Sequence, residues 1–228
     1  MTSEENTSTS RDTLDVRWLG RIGFQEGLAL QNALVLQRRD NEIPDTVLLL
    51  EHEPVYTIGR TRDRSSLLDP EQLPHELVEI NRGGKATYHG PGQLVGYFIL
   101  DLHQHGRDLH ALLRMLEGLV IDFAHTLGVK DAQRREGLTG VWVGERKLAS
   151  IGVGVRHWIS MHGFAINICG DLSPFGAIIP CGIDNVTMTS IAHEHIRTET
   201  LPTTLSPAAV ADAMAQLLPA QVSALRSE

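Results

Sequence analysis

Arg82-Gly83-Gly84-Lys85-Ala86-Thr87-Tyr88-His89-Gly90-Pro91-Gly92-Gln93 joins two apolar runs, Leu77-Val78-Glu79-Ile80 and Leu94-Val95-Gly96-Tyr97-Phe98-Ile99-Leu100. Both runs are short, rich in β-branched and aromatic residues and bounded by turn formers, which is the signature of strands. The segment between them is therefore expected to be a loop held by strands on both sides. Glycine lets backbone approach a ligand closely and reach positive φ, and Pro91 fixes a turn. A loop of this composition on a rigid scaffold is a candidate binding element.

Outward from that loop the pattern alternates unevenly between strands and helices. Phe24 to Arg39 is expected to be a helix, with Leu28, Ala29, Asn32, Leu34 and Leu36 on or near one face. Arg38 and Arg39 at its end agree with the helix macrodipole. Thr46 to Leu50, between Pro44 and Pro54, and Val55 to Ile58 are expected strands, and 60–75 a polar loop. Asp108 to Leu127 is the clearest helix, with Leu109, Leu112, Leu113, Leu116, Leu119, Val120 and Phe123 at helical spacing and Gly128 as its stop. Val141 to Val143, a Gly144-Glu145 turn and Leu148 to Val155 form an expected β-hairpin, followed by short strands at Trp158 to Met161 and Phe164 to Ile168. Ser206 and Pro207 open a last helix, expected to run through Leu218 until Pro219 breaks it. Strands outnumber helices, and the helices sit at the start, middle and end, so the class is α+β, not a regular βαβ array.

The 228 residues suit one domain, expected over 14–222 behind a disordered tail at 1–13. Apolar content of 42% and charged content of 21% allow a substantial core. No apolar run approaches the ~18 residues of a membrane span, and the Ser/Thr/Glu-rich start resembles neither a signal nor a transit peptide. The expected compartment is the cytoplasm. A net charge of −8 argues against general nucleic-acid affinity, although Arg60, Arg62 and Arg64 form a local basic patch. No exposed apolar stripe is evident, which favours a monomer.

Chemistry concentrates in three segments: 82–93, 144–152 and 179–183. Two cysteines, Cys169 and Cys181, are too few for a disulfide framework. A cysteine is commonly a small buried hydrophobe, but Pro180 and Gly182 put Cys181 on a rigid turn where it is approachable. Reactivity requires the thiolate, which a neighbouring ammonium favours. At ~4 Å and an effective dielectric constant near 20 that attraction reaches about 4 kcal/mol before desolvation opposes it. Lys147, just past the hairpin turn and followed by Leu148, Ala149 and Ser150, is the candidate for that ammonium; the alternative is a solvated hairpin lysine. His89, in so glycine-rich a setting, is a candidate to hydrogen-bond a ligand carbonyl or position a thioester. The His103/His105, His157/His162 and His193/His195 pairs lack the ligand spacing of a zinc site, so no metal is expected. Neither a G-x-x-x-x-G-K-[ST] loop nor a G-x-G-x-x-G turn is present, so ATP and dinucleotides are not expected, and Gly152-Val153-Gly154 is better explained by close packing within a strand.

Taken together, the 82–97 block, Lys147-Leu-Ala-Ser-Ile-Gly, His162-Gly-Phe-Ala-Ile-Asn and Pro180-Cys-Gly-Ile closely resemble the lipoyl(octanoyl) transferase family, over about Trp18 to Ile191. The resemblance implies a biotin/lipoate-protein-ligase-like α+β fold, with a mixed or antiparallel sheet and flanking helices. It implies transfer of octanoyl from octanoyl-acyl carrier protein to a lysine on lipoyl domains of 2-oxoacid dehydrogenase complexes and of the glycine cleavage H protein. Cys181 takes the position of the acyl-thioester nucleophile and Lys147 that of the lysine that lowers the thiol's pKa. Substrate-binding positions map to Arg82, Gly83, Gly84, Lys85, Ala86, Thr87, Tyr88 and His89, to Ser150, Ile151 and Gly152, and to Gly163, Phe164 and Ala165. The family departure at Ile168-Cys169-Gly170 adds a second thiol near the site. No cofactor is implied, because passing a thioester to an amine is downhill without ATP. Two alternatives stay open: an ATP-dependent lipoate–protein ligase, and a non-catalytic acyl- or lipoyl-domain-binding module. An acidic carrier protein would need a local basic surface, for which Arg60, Arg62 and Arg64 are the candidates.

Overall fold

The computed structural model describes residues 13–182, 186–198 and 205–225, apart from the Cys181 side chain. Most of the expected tail at 1–13 therefore lies outside the described residues. The chain opens with β1 (Asp15–Ile22), α1 (Phe24–Arg39) and β2 (Thr46–His52). β1 and β2 pair in parallel, an arrangement that requires the crossover α1 provides. Next come β3 (Val55–Ile58), β4 (Leu77–Glu79), β5 (Thr87–His89) and β6 (Gln93–Ile99), then α2 (Leu109–Thr126). β7 (Ala132–Arg135), β8 (Leu138–Val143), β9 (Arg146–Arg156) and β10 (Ile159–Asn167) follow. The chain closes with β11 (Thr187–Met188), α3 (Ile191–Thr198) and α4 (Pro207–Ala224).

The main sheet runs β1-β2-β6-β10-β9-β8-β7, with β11 added to β9. Its pairs are antiparallel except β1–β2 and β9–β11. A small sheet, β4-β3-β5, carries the glycine-rich loop. This is the α+β class with a mixed sheet and flanking helices. α2 and α4 cover one face, packing Leu112, Leu116, Phe123, Met214 and Leu218 on Val47, Phe98, Phe164 and Ile166. α1 covers the other, packing Leu34 and Val35 on Leu48, Val95 and Tyr97. The Asp108 carboxylate caps α2 by accepting from His110 N (2.7 Å) and Ala111 N (3.0 Å), satisfying two donors the helix cannot.

Three expectations need correction. α1 buries Phe24, Gly27, Gln31, Leu34, Val35 and Arg38, not the face through Leu28, Ala29 and Leu36; Leu36 is exposed. Polar residues belong to the inner stripe because each finds a buried partner there: Gln31 Oε1 accepts from His162 N (2.8 Å), although its Nε2 has none among the described residues, and Arg38 Nε donates to Asp45 (2.8 Å). The two short strands expected at 158–168 are one strand, β10, carried across His162-Gly163 without a break. α4 does not stop at Leu218. It continues through Pro219 to Ala224, since burial of Val222 and Leu225 offsets the ~3 kcal/mol that an interior proline costs.

Candidate active site

The loop after β4 folds back over β9. Gly83 N donates to Val153 O at 3.0 Å and Arg60 N to Arg82 O at 2.9 Å. Glycine is required beneath it at 154, where a Cβ would sit 2.1 Å from Asn81 O, and is a close fit at 152, where one would sit 3.2 Å from Gly83 O. Gly152-Val153-Gly154 thus serves close backbone packing, as the strand pattern implied. Between loop and sheet lies a cleft of about 530 Å³.

Arg82 pins the loop. Its guanidinium donates to Gly83 O, Lys85 O, Thr57 O and Thr57 Oγ1, each at 2.9 Å. Thr57 Oγ1 lies 3.4 Å from His89 Nε2, and His89 Nδ1 3.2 Å from Gln93 Oε1. The amide oxygen can only accept, so Nδ1 carries the proton and Nε2 accepts from the threonine hydroxyl. Burial, then the neighbouring His52 and Arg82, push His89 well below the usual imidazole range.

Thr87 and His89 line the cleft, and Tyr88 between them points the other way, following strand alternation. Tyr88 packs in a separate cluster with Tyr56 and Phe175. Ala86 is buried in that same cluster. Lys85 is half-buried, lies along Gly182 of the 180–182 turn and pairs with Asp63 at 3.0 Å. The structure therefore gathers Arg82, Gly83, Gly84, Thr87, His89, Lys147, Ser150, Ile151, Gly152, Gly163, Phe164 and Ala165 on one cleft and sets Lys85, Ala86 and Tyr88 off it.

Lys147 is only 1% exposed. Its Nζ donates to Thr139 O at 3.0 Å and lies 5.1 Å from the centre of the Trp142 ring. A lysine beside a hairpin turn is ordinarily solvated; here a register shift between Val141 and Trp142 carries β8 across the side chain. Burial of a lysine costs free energy unless it is compensated, which makes its position a functional signal.

The segment after residue 185 returns to this lysine. Met188 pairs with Lys147 in β11, Thr189 N donates to Lys147 O at 2.9 Å, and Asn167 Nδ2 donates to Thr189 O at 2.9 Å. The buried Glu194 carboxylate on α3 accepts from Thr189 Oγ1 (2.5 Å) and from Arg146 Nε (2.9 Å) and Nη2 (2.8 Å). Burial opposes its ionisation, but Arg146 and Thr189 together hold it below the usual carboxylate range. On the other side, Pro180–Gly182 form a 3₁₀ turn. It is tied to Ser66 by Ile179 N donating to Ser66 O at 2.7 Å. The Cys181 backbone lies in this turn, and its side chain lies outside the described residues.

Sequence reasoning did not assign several cleft residues, His162 first among them. Its φ of +62° breaks strand alternation, and its ring packs edge-on against Tyr97 with centroids 6.0 Å apart. Burial and Arg82 push it down to about 3, and its Nε2 has no hydrogen-bond partner among the described residues. His52 is lowered to about 4 by burial. Its Nδ1 lies 3.1 Å from Ile22 O and its Nε2 2.6 Å from the Tyr97 hydroxyl, so Nδ1 donates to the carbonyl and Nε2 accepts from the tyrosine. The available signal was a histidine followed by glycine inside an apolar strand. Cys169 is exposed, with burial of its thiol and then the Glu51 charge pushing it up; it does not line the cleft. Arg62 and Arg64 both pair with Glu79, at 3.1 and 3.4 Å, whereas Arg60 lines the cleft.

A family model described as the lipoyl protein ligase A/B catalytic domain matches residues 24–218. The chain is 54% identical over 176 residues to an octanoyltransferase of Geobacter sulfurreducens, covering 77% of this chain and 73% of that one. It is 48% identical over 179 residues to an octanoyltransferase of Synechococcus elongatus, covering 76% of each. Among solved structures it is similar to lipoate-protein ligase A bound with ATP, at 15% identity and a TM-score of 0.65 over 94% of this chain and 85% of that one. It is also similar to a biotin protein ligase from Aquifex aeolicus, at 14% identity and a TM-score of 0.51 over 94% and 71%. The two structural likenesses concern the fold.

Proposed function

The chain belongs to the lipoyl protein ligase A/B catalytic family, and from that premise we propose that it is an octanoyltransferase working through a thioester on Cys181. The relatives sharing about half its residues carry the octanoyltransferase activity by name. The observation that supports the mechanism is Lys147, an amine buried against a cleft whose lining, among the described residues, includes Arg60, Arg82 and Lys147 as cations and no carboxylate.

The donor is octanoyl-acyl carrier protein. The Cys181 thiolate, favoured by the Lys147 ammonium, attacks the donor's thioester carbon. The new carbon–sulfur bond replaces the old one, and the carrier leaves as its thiol by taking the proton of the Lys147 ammonium, which is left as the neutral amine. The octanoyl chain lies against Ser150, Gly152 and Ala165 under the 82–84 loop, with the apolar wall such a ligand needs. An acceptor lysine then attacks as the free amine. Its carbon–nitrogen bond forms, the carbon–sulfur bond to Cys181 breaks, and the proton lost by the amine passes by way of Lys147 to the leaving thiolate. The acceptor is a lipoyl domain, of 2-oxoacid dehydrogenase complexes and of the glycine cleavage H protein. Thioester exchange is near balance and amide formation is downhill, so no ATP is consumed.

Residues 14–222 would form one catalytic domain, acting as a cytoplasmic monomer, with Arg60, Arg62 and Arg64 meeting the acidic carrier. Among the described residues no helix is long and apolar enough to cross a membrane.

Intact-mass spectrometry after mixing with octanoyl-acyl carrier protein without ATP tests this reading. One octanoyl group is gained, is absent in Cys181→Ser, and moves to an added lipoyl domain. No adduct without ATP, together with turnover once ATP and free octanoate are supplied, would instead establish a ligase. Stable binding with no adduct in either condition would establish a binding module. Reversing Arg60, Arg62 and Arg64 raises KM for the donor and leaves kcat within about twofold, as expected when surface charge governs encounter.

A further inference from the structure

The cleft does not end where the acyl chain needs it to. It continues around one edge of β9 onto the opposite face of the sheet, where Leu109, Leu113, Leu138, Ile151, Val153 and Val155 form an apolar trough. All six are half-buried or more exposed, although apolar side chains on this face elsewhere sit under α2 and α4. The trough exists because β8 leaves β9 early. Their pairing covers Arg146 to Ala149, whereas β9 runs to Arg156 and pairs with β10 throughout that stretch. Among the described residues no strand pairs with the β9 edge beyond Ala149, and the Gly83 N to Val153 O bond is the loop's contact there.

We infer that this trough receives the lysine-bearing segment of the acceptor protein, an inference that rests on the transferase reading above. Reach decides between donor and acceptor. From Cα to Nζ a lysine spans about 6 Å, so the acceptor's backbone must enter the mouth of the cleft to bring its amine to the thioester beside Lys147. A donor that carries its thioester on a long arm can keep its protein surface outside. The trough is the apolar wall continuous with that mouth. Charge sets the chemistry of the segment. In a chain of net charge −8 the charged residues that line the cavity, among the described residues, are Arg60, Arg82 and Lys147, with no aspartate or glutamate. The complementary segment is extended, apolar on the side it lays in the trough, and acidic next to its lysine.

The test separates the two half-reactions. Leu113→Glu and Val155→Glu are made in the full chain, and Cys181 acylation by octanoyl-acyl carrier protein is followed by intact mass. Transfer is then followed to a folded lipoyl domain and to a small N-acetyl-lysine amide. Acylation and transfer to the small amine stay at wild-type rates, while KM for the domain rises at least tenfold. Unchanged transfer to the domain overturns the proposal, and so does slowed acylation, which would make the trough a donor surface. No adduct on the wild-type enzyme overturns the transferase reading, and the trough with it. Should a variant lose its cooperative thermal transition, the wild-type enzyme is given a lipoyl domain whose acidic residues beside the lysine are changed to Asn and Gln. A tenfold higher KM supports the assignment and an unchanged KM removes it.

Discussion

Two parts of the cleft solve opposite electrostatic problems. In one, Lys147 is buried to 1% exposure, and the nearby carboxylate, Glu194, is committed to Arg146 and Thr189. Elsewhere along the cleft His89 and His162, with His52 packed behind them, are buried as neutral imidazoles near the Arg82 guanidinium, each held below the usual range mainly by burial. One part keeps a group that can carry charge where it is costly; the other strips charge from groups that ordinarily have it. A thioester exchange needs an ammonium at the sulfur and an apolar wall for an alkyl chain, and the cleft offers both, the wall including Ile151, Phe164 and Ala165.

The comparison breaks most completely at Lys147. Lys147→Met keeps the length and volume of the side chain while removing the charge. Transfer falls about 10³-fold, within the range for loss of a general acid–base group, and iodoacetamide alkylation of Cys181 slows at pH 7 because less thiolate is present. Thermal stability is unchanged or raised, since exchanging a buried charge for a well-packed apolar side chain is often neutral or stabilising. A lowered Tm with normal transfer would make Lys147 a structural residue.

Glu194→Gln comes next. It leaves the Arg146 guanidinium facing a neutral amide and weakens the Thr189 bond that holds β11 on Lys147. The pair is partly exposed on the arginine side, so the cost is about 2 kcal/mol, or roughly 4–8 °C in Tm for a domain of this size. Because Thr189 is the link to the lysine backbone, kcat falls about tenfold while KM for either substrate holds. A fall in Tm with unchanged kcat would confine Glu194 to packing.

Much of this is legible in the sequence alone. The helices at 24–39 and 109–126 and the hairpin around Gly144 follow from periodicity and turn residues, and the glycine-rich loop announced itself by composition. What was not legible depended on partners distant in sequence. The inner face of α1 includes Gln31 and Arg38, which a purely apolar reading passes over, and their bonds to His162 N and Asp45 are visible only in three dimensions. Pro219 signals a stop, but burial of Val222 outweighs it. Tyr88 reads as part of the same motif as Thr87 and His89, and only the strand at 87–89, too short to show a period of two, separates their faces. Lys147 looked solvated because its cover comes from β8, whose irregular register no pattern displays.

The imidazoles give the pH dependence. His52 and His162 titrate near 4 and 3 in the folded chain and near 6.5 when unfolded. Between those values the unfolded chain binds protons that the native one excludes, so stability is present in full above pH 6.5 and is lost as pH falls towards 3. Either imidazole alone removes roughly 3 kcal/mol by pH 4. Replacing His162 with Gln keeps a polar side chain that does not titrate, and the fall in Tm between pH 7 and 4 becomes shallower. Parallel Tm profiles for wild type and His162→Gln would mean that the ring is not buried as a neutral group.

The smallest effect tests the contact that shapes the cleft. A Cβ on Gly152 would lie 3.1 Å from Arg82 Cδ and 3.2 Å from Gly83 O, close enough to displace the loop by a few tenths of an ångström. Its backbone is not in the left-handed region, so alanine adds no conformational strain and offsets the crowding slightly by restricting the unfolded chain. Gly152→Ala therefore leaves Tm within about 2 °C and raises KM for the octanoyl donor severalfold at unchanged kcat, because the loop moves over the acyl chain and not over Lys147. A loss confined to kcat would place the 82–84 loop at the reacting carbon, and the loop would then act on the chemistry at Lys147 and not on the acyl chain alone.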